Sequence, residues 1–149
     1  MTTMVADPVF VDTNILVYAR ATMAPLHGNA VTKLQDLATA GHPLWISRQI
    51  LREYLSAMSR PGTWTTPVSM TGLVSDVQTF ERQLFLVEDG AAITTRLLTL
   101  LTAIPCAGKQ IHDANIVATM LTQGIQNLLT HNVADFNRFA AHITVIPLI

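Results

Sequence analysis

The sequence predicts an α/β fold built on a mostly parallel sheet, and three observations carry that expectation. Short apolar runs of strand length recur along the 149 residues. Longer segments with helical spacing of apolar residues lie between them. The two kinds alternate along the chain, which is the rhythm of βαβ units. A chain of this length hides roughly 70% of its unfolded surface in one core and is too short for two comfortable cores. Residues 1–149 are therefore read as one domain. No internal repeat or low-complexity tract interrupts it.

The first run, 9–11, is Val9-Phe10-Val11, and the continuous hydrophobicity of this and the later strand runs suits strands covered on both faces. Helices over 15–21 and 29–40 follow, then a strand over 44–46. The helix predicted over 48–59 carries Ile50, Leu51, Tyr54, Leu55 and Met58 as one apolar stripe. Residues 59–72, SRPGTWTTPVSMTG, concentrate turn formers and place Trp64 on a connection. Such a ring more often folds back on its own domain than meets a partner. A helix over 69–82 and a strand over 84–87 come next, followed by helices over 91–101 and 112–123. The chain closes with a strand over 127–129, a shorter helix after Val133 and a strand over 143–146. Right-handed crossovers then put helices on both faces and a functional crevice at the carboxyl ends of the strands.

Composition narrows the function classes. Hydrophobic residues make up 50% and charged residues 13%, about half the ~25% usual in soluble domains, which excludes disorder. The longest nearly apolar stretch, 97–107, is interrupted by Thr99, Thr102 and Pro105 and falls short of the ~18 residues of a membrane span. Asp7 and Pro8 break the N-terminus before any apolar run, so no secretory signal is expected. The single cysteine, Cys106, can form neither an internal disulfide nor a Cys-rich zinc site. These features together point to the cytoplasm, with no membrane as partner. A net charge of −1 offers no global basic field, so any nucleic acid must be met by a local patch. Nine basic and ten acidic residues cover the surface thinly, and the apolar surface left over predicts an oligomer or a complex.

With so few acids, their placement is informative. Asp12 ends the first strand and precedes Thr13 and Asn14; it is either a carboxylate at the ligand edge of the sheet or the N-cap of the next helix. Asp113 lies in the middle of the stripe formed by Ile116, Val117, Met120 and Leu121, so it points toward the core side. A first-turn acid that only compensated the helix dipole would face solvent, and a buried unpaired carboxylate costs several kcal/mol. Glu53 falls about 60° from Ile50 on its helix, at the edge of the stripe, where a surface ion pair with Arg48 or Arg52 is the plainer alternative. Asp135 follows the fourth strand, where capping would also explain it. A parallel sheet brings all four acids to one edge. Packed there, they raise one another's pKa unless divalent cations neutralise them. Oxygen-only ligands favour Mg²⁺ or Mn²⁺ over zinc, and such an acidic cluster is the usual equipment for hydrolysing phosphodiesters.

At these residues the sequence resembles the PIN-domain ribonucleases, and more closely the VapC-type toxins of bacterial toxin–antitoxin pairs. The matching pieces are FVDTNIL around Asp12, ISRQILREYL around Glu53, IHDANIVATM around Asp113 and LLTHNVADF around Thr130 to Asp135, in the family's order and over nearly the whole chain. The resemblance implies a three-layer α/β/α sandwich with a five-stranded mostly parallel sheet. It also implies Mg²⁺- or Mn²⁺-dependent cleavage of single-stranded or looped RNA. Asp12, Glu53, Asp113 and Asp135 are carried over as catalytic, metal-binding acids, with Thr130, Asn132 and Asn14 supporting the pocket. Many relatives have an acid where Asn132 stands, which weakens a second metal site, although its amide oxygen can still face metal-held water. A homodimer and a VapB-type antitoxin are implied as partners.

Phosphate contacts need cations, and Lys109, Arg48, Arg52 and Arg60 are nearest to the acidic motifs. His112 and His131 adjoin the motifs as structural donors; His27, His42 and His142 have no partner pattern. There is no nucleophile elbow, and the residues around Lys109 lack the spacing of a P-loop. Two rival readings stand beside the nuclease. An aspartyl phosphatase wants a second acid where Asn14 stands, and a non-catalytic RNA-binding or interaction module of the same fold would be signalled by loss of one of the four acids.

Overall fold

Val9, Phe10 and Val11 are wholly buried, and that strand forms the centre of the molecule. The computed structural model describes residues 5–149; the first four residues of the expected 1–149 domain lie outside the described residues. In chain order the elements are β1 (Val9–Val11), α1 (Thr13–Arg20), α2 (His27–Thr39), β2 (Leu44–Ser47), α3 (Arg48–Ser59), α4 (Met70–Gln83) and β3 (Phe85–Val87). They continue with α5 (Ala91–Ala103), α6 (Gln110–Gln123), β4 (Asn127–Thr130), a 3₁₀ helix (Val133–Phe139) and β5 (Thr144–Pro147). The five strands pair in parallel in the order β3-β2-β1-β4-β5.

That order decides where the helices go. Connections from β1 to β2 to β3 step one way across the sheet, and the connection to β4 returns past β1; with right-handed crossovers the two sets lie on opposite faces. Contacts agree, since α1 packs on α2 and α3, while α5, α6 and the 3₁₀ helix pack on one another in sequence. The result is a sheet between two helical layers. The order reverses between β1 and β4, and in open α/β sheets a ligand crevice lies at the carboxyl ends of such a strand pair.

Burial of both faces holds only in the middle of the sheet. Leu128 and Leu129 of β4 are fully buried, but Phe85 of β3 is 55% exposed and β5 keeps Thr144 and Pro147 in solvent. Edge strands have a neighbour on one side only. Phe85 compensates by stacking on Trp45 of β2, ring centroids 5.0 Å apart.

Element ends shift where side chains satisfy the backbone. Helix α1 begins at Thr13, two residues before the expected start, because Asp12 caps it. Helix α6 begins at Gln110 rather than 112, where the Gln110 side chain accepts from the Ala107 N–H at 3.0 Å. Ser69 is the cap of α4 and not its first residue, accepting from the Gly72 N–H. Helix α5 runs to Ala103, past 101, with Thr99 and Thr102 bonding back to carbonyls within the helix. Helix α6 stops at Gly124, whose φ of +79° a side chain would strain. Trp64 folds back and packs against the core. Among the described residues no helix is long and apolar enough to cross a membrane.

Candidate active site

Asp12 satisfies both of its sequence readings. As N-cap it accepts from the Thr13 N–H at 2.8 Å through Oδ1; as the strand-end carboxylate it accepts from Thr130 Oγ1 at 2.7 Å and Asn14 Nδ2 at 3.1 Å through Oδ2. Thr130 arrives at the same edge on β4, one register step beyond the Val11–Leu129 pair, and is fully buried beneath the site. Its hydroxyl proton is committed to Asp12, and its oxygen accepts from Asn14 Nδ2 and the Asn132 N–H. Asn14 Oδ1 accepts from the His131 N–H at 3.0 Å, tying α1 to the segment after β4. Burial pushes the Asp12 carboxyl up to about 6 despite these bonds, and the charge of Glu53 adds to the rise.

Glu53 does not form the ion pair with Arg48 or Arg52 that its place on the helix allowed. Its Oε2 accepts from Thr13 Oγ1 at 2.7 Å and its Oε1 from Gln49 Nε2 at 2.9 Å. The expected partner, Arg48, instead binds Glu88 through two nitrogens and Glu81 at 2.6 Å, while Arg52 faces Asp89 at 3.5 Å. Neither Arg48 nor Arg52 lines the groove that holds Glu53. The reason is helical: both side chains leave α3 toward α4 and the loop after β3, where three acids neutralise them.

Gln49 was not singled out in the sequence. It is 7% exposed, its amide nitrogen bridges Glu53 and the His112 carbonyl, and its amide oxygen accepts from Asn115 Nδ2 at 2.7 Å. One buried amide thus fixes α3 against the start of α6. The available signal was a polar residue four positions before Glu53 and beside the apolar stripe.

Asp113 stands in the first turn of α6, half-buried at the groove wall rather than inside the core. Burial lifts its carboxyl to about 7, helped by the charges of Asp12, Asp135 and Glu53 and opposed by Arg138. Among the described residues no hydrogen bond contributes to holding it ionised. Asp135 is exposed in the first turn of the 3₁₀ helix.

Asp12, Glu53, Asp113 and Asp135 line one groove of about 650 Å³, together with Asn14, Asn132 and Lys109. Arg60 and Tyr18, absent from the carboxylate motifs, line it as well. The first turns of α1 and α6 open on the groove, so their positive dipole ends offset part of the acidic charge.

The four carboxylates offer oxygen donors, which suit a hard divalent cation, and His112 on the same groove adds a nitrogen donor. Among the described residues no three Asp, Glu, His or Cys side chains close into a ready-made metal cage. Asp12 and Glu53 already accept protein hydrogen bonds, which occupy part of their lone-pair capacity.

No family model and no curated relative matches the sequence. Solved structures do. The chain is similar to a chain of the VapBC2 complex of Rickettsia felis bound to a promoter DNA fragment, at 20% identity and a TM-score of 0.70 over 93% of this chain and 97% of that one. It is similar to Mycobacterium tuberculosis VapC20, a toxin that cleaves the sarcin–ricin loop, at 18% identity and a TM-score of 0.66 over 91% and 96%. A toxin–antitoxin complex from Klebsiella pneumoniae matches at 18% and 0.65 over 95% and 98%. The likeness shows that this chain has the PIN-like α/β fold of the VapC toxins.

Proposed function

We propose that the chain is an Mg²⁺- or Mn²⁺-dependent endoribonuclease, the toxin of a toxin–antitoxin pair. One observation carries the reading: four carboxylates from four separate segments line a single groove at the carboxyl edge of a sheet whose fold is that of VapC toxins. Asp12, Asp113 and Asp135 would hold the ion, with Glu53 beside them. When bound, the ion supplies positive charge that orients the phosphodiester and favours attack by water.

The chain's own residues do the rest. Thr130, Asn14 and the Thr13 N–H fix Asp12 so that its carboxylate cannot swing away as charge changes. Gln49 and Thr13 fix Glu53 in the same way. Asn132 presents a neutral oxygen where a fifth acid would add repulsion. Lys109, exposed at the groove and four residues before Asp113, offers a phosphate its charge.

The antitoxin and a second copy of the chain are the proposed partners. The apolar side chains left in solvent support this, notably Met70 (56%), Phe85 (55%) and Leu98 (59%), as does the assembly of the Rickettsia and Klebsiella proteins into complexes.

The deciding experiment purifies the protein free of antitoxin and incubates it with structured RNAs and Mg²⁺ or Mn²⁺. The expected result is cleavage that EDTA and Asp113→Asn both abolish. Cleavage indifferent to EDTA, or none with either ion, overturns the reading.

A further inference from the structure

The groove extends beyond its acids. Glu53, Ser56 and Ala57 line it from one face of α3, at spacings of three and four residues, and Arg60, the extended residue that ends the helix, lines it as well. Asn14, Val17 and Tyr18 line the groove from α1, which packs against α3. The groove of the carboxylates therefore also carries an aromatic ring and a cation.

Both are placed for a ligand. Arg60 is exposed, and among the described residues it makes no ion pair, whereas Arg20, Arg48 and Arg52 are all paired with acids. The Tyr18 ring packs edge to face with His131, centroids 5.7 Å apart and planes at 80°. The His131 N–H donates to Asn14, and Asn14 donates to Asp12. The Tyr18 carbonyl is bonded to His27 Nδ1 at 2.9 Å. The ring thus packs against the segment whose backbone helps to fix the central carboxylate. An aromatic ring and an unpaired guanidinium lining one groove match an unpaired base and its phosphate; bases inside a duplex cannot reach such a ring.

We infer that Tyr18 stacks an unpaired base beside the cleaved bond and that Arg60 holds a phosphate of the same strand. The inference rests on the nuclease reading for what happens at the acids, and on its own residues for binding.

The test measures binding of a fluorescein-labelled single-stranded oligoribonucleotide, and of the same sequence as a duplex, by anisotropy in Ca²⁺. Cleavage in Mn²⁺ is followed separately. Tyr18→Leu should weaken single-strand binding about five- to hundredfold and Tyr18→Phe should restore it. Arg60→Ala should lower the slope of log affinity against log salt by about 0.7. In cleavage, Tyr18→Leu should raise KM and leave kcat. Tyr18→Trp keeps a plane, and the strand should quench its added fluorescence; no quenching overturns the inference even where Tyr18→Leu fails to fold. Wild-type binding by both substituted chains, or preference for the duplex, overturns it too. Tyr18-dependent binding without any cleavage supports the inference and removes the nuclease reading; cleavage with an unchanged KM in Tyr18→Leu does the reverse.

Discussion

Replacing Asp113 with asparagine should make the metal-free protein more stable at neutral pH. The Asp113 carboxyl is raised from 3.8 to about 7, so the folded chain holds this proton more tightly than the unfolded chain. The stability that comes with the proton is complete below about pH 4 and is lost as pH rises through about 7. Three units at about 1.36 kcal/mol each would amount to about 4 kcal/mol for an enclosed group. Asp113 is half exposed and water screens it, which reduces the effect to about 1–2 kcal/mol. For a chain of this length that corresponds to a rise in Tm of about 3–6 °C. Thermal unfolding followed by circular dichroism in EDTA measures it. Wild type and Asp113→Asn should melt together near pH 4 and separate by that amount near pH 8, with Mn²⁺ raising the wild type and not the variant. A variant no more stable than wild type near pH 8, or a gap equal at both pH values, would refute the account of a carboxylate held against like charge.

Other substitutions separate the remaining claims. Gln49→Ala leaves Glu53, the His112 carbonyl and Asn115 without a shared partner, and should lower the urea midpoint by the equivalent of about 1–3 kcal/mol at an unchanged m-value. Arg48→Ala should leave RNA cleavage within about twofold of wild type, because its charge serves an exposed ion-pair cluster; a larger loss would return Arg48 to the groove. Asn132→Asp adds a carboxylate to the groove wall and should tighten Mn²⁺ binding measured by calorimetry. Gly124→Ala should cost about 1–2 kcal/mol in chemical denaturation, since its φ of +79° is left-handed and open space around it removes any steric explanation.

The fold was legible because its signals are local and redundant. Five strands were found from apolar runs a few residues long, and the helices between them from periodicity that survives errors of two residues at an end. Where ends moved, a side chain had taken over a backbone partner, as with Asp12 before α1 and Gln110 at the start of α6. The edge strands were misjudged for burial because hydrophobicity reports what a run tolerates, and position in the sheet decides how many neighbours it has.

By itself the sequence determined which residue types were available and in what order: four acids at strand ends or near helix starts, a DTN turn, two arginines on the third helix. It could not say which way those arginines face. Glu81 and Glu88 lie 33 and 40 residues from Arg48, and Asp89 is as remote from Arg52, so only the packing of α4 and the loop after β3 against α3 brings them within reach. The tertiary structure likewise decided the partners of Glu53, the bridge made by Gln49 and the alignment of Tyr18 and Arg60 along one groove. Periodicity places a residue on a face of its own element. What that face meets depends on contacts distant along the chain, which only the folded packing of sheet and helices creates.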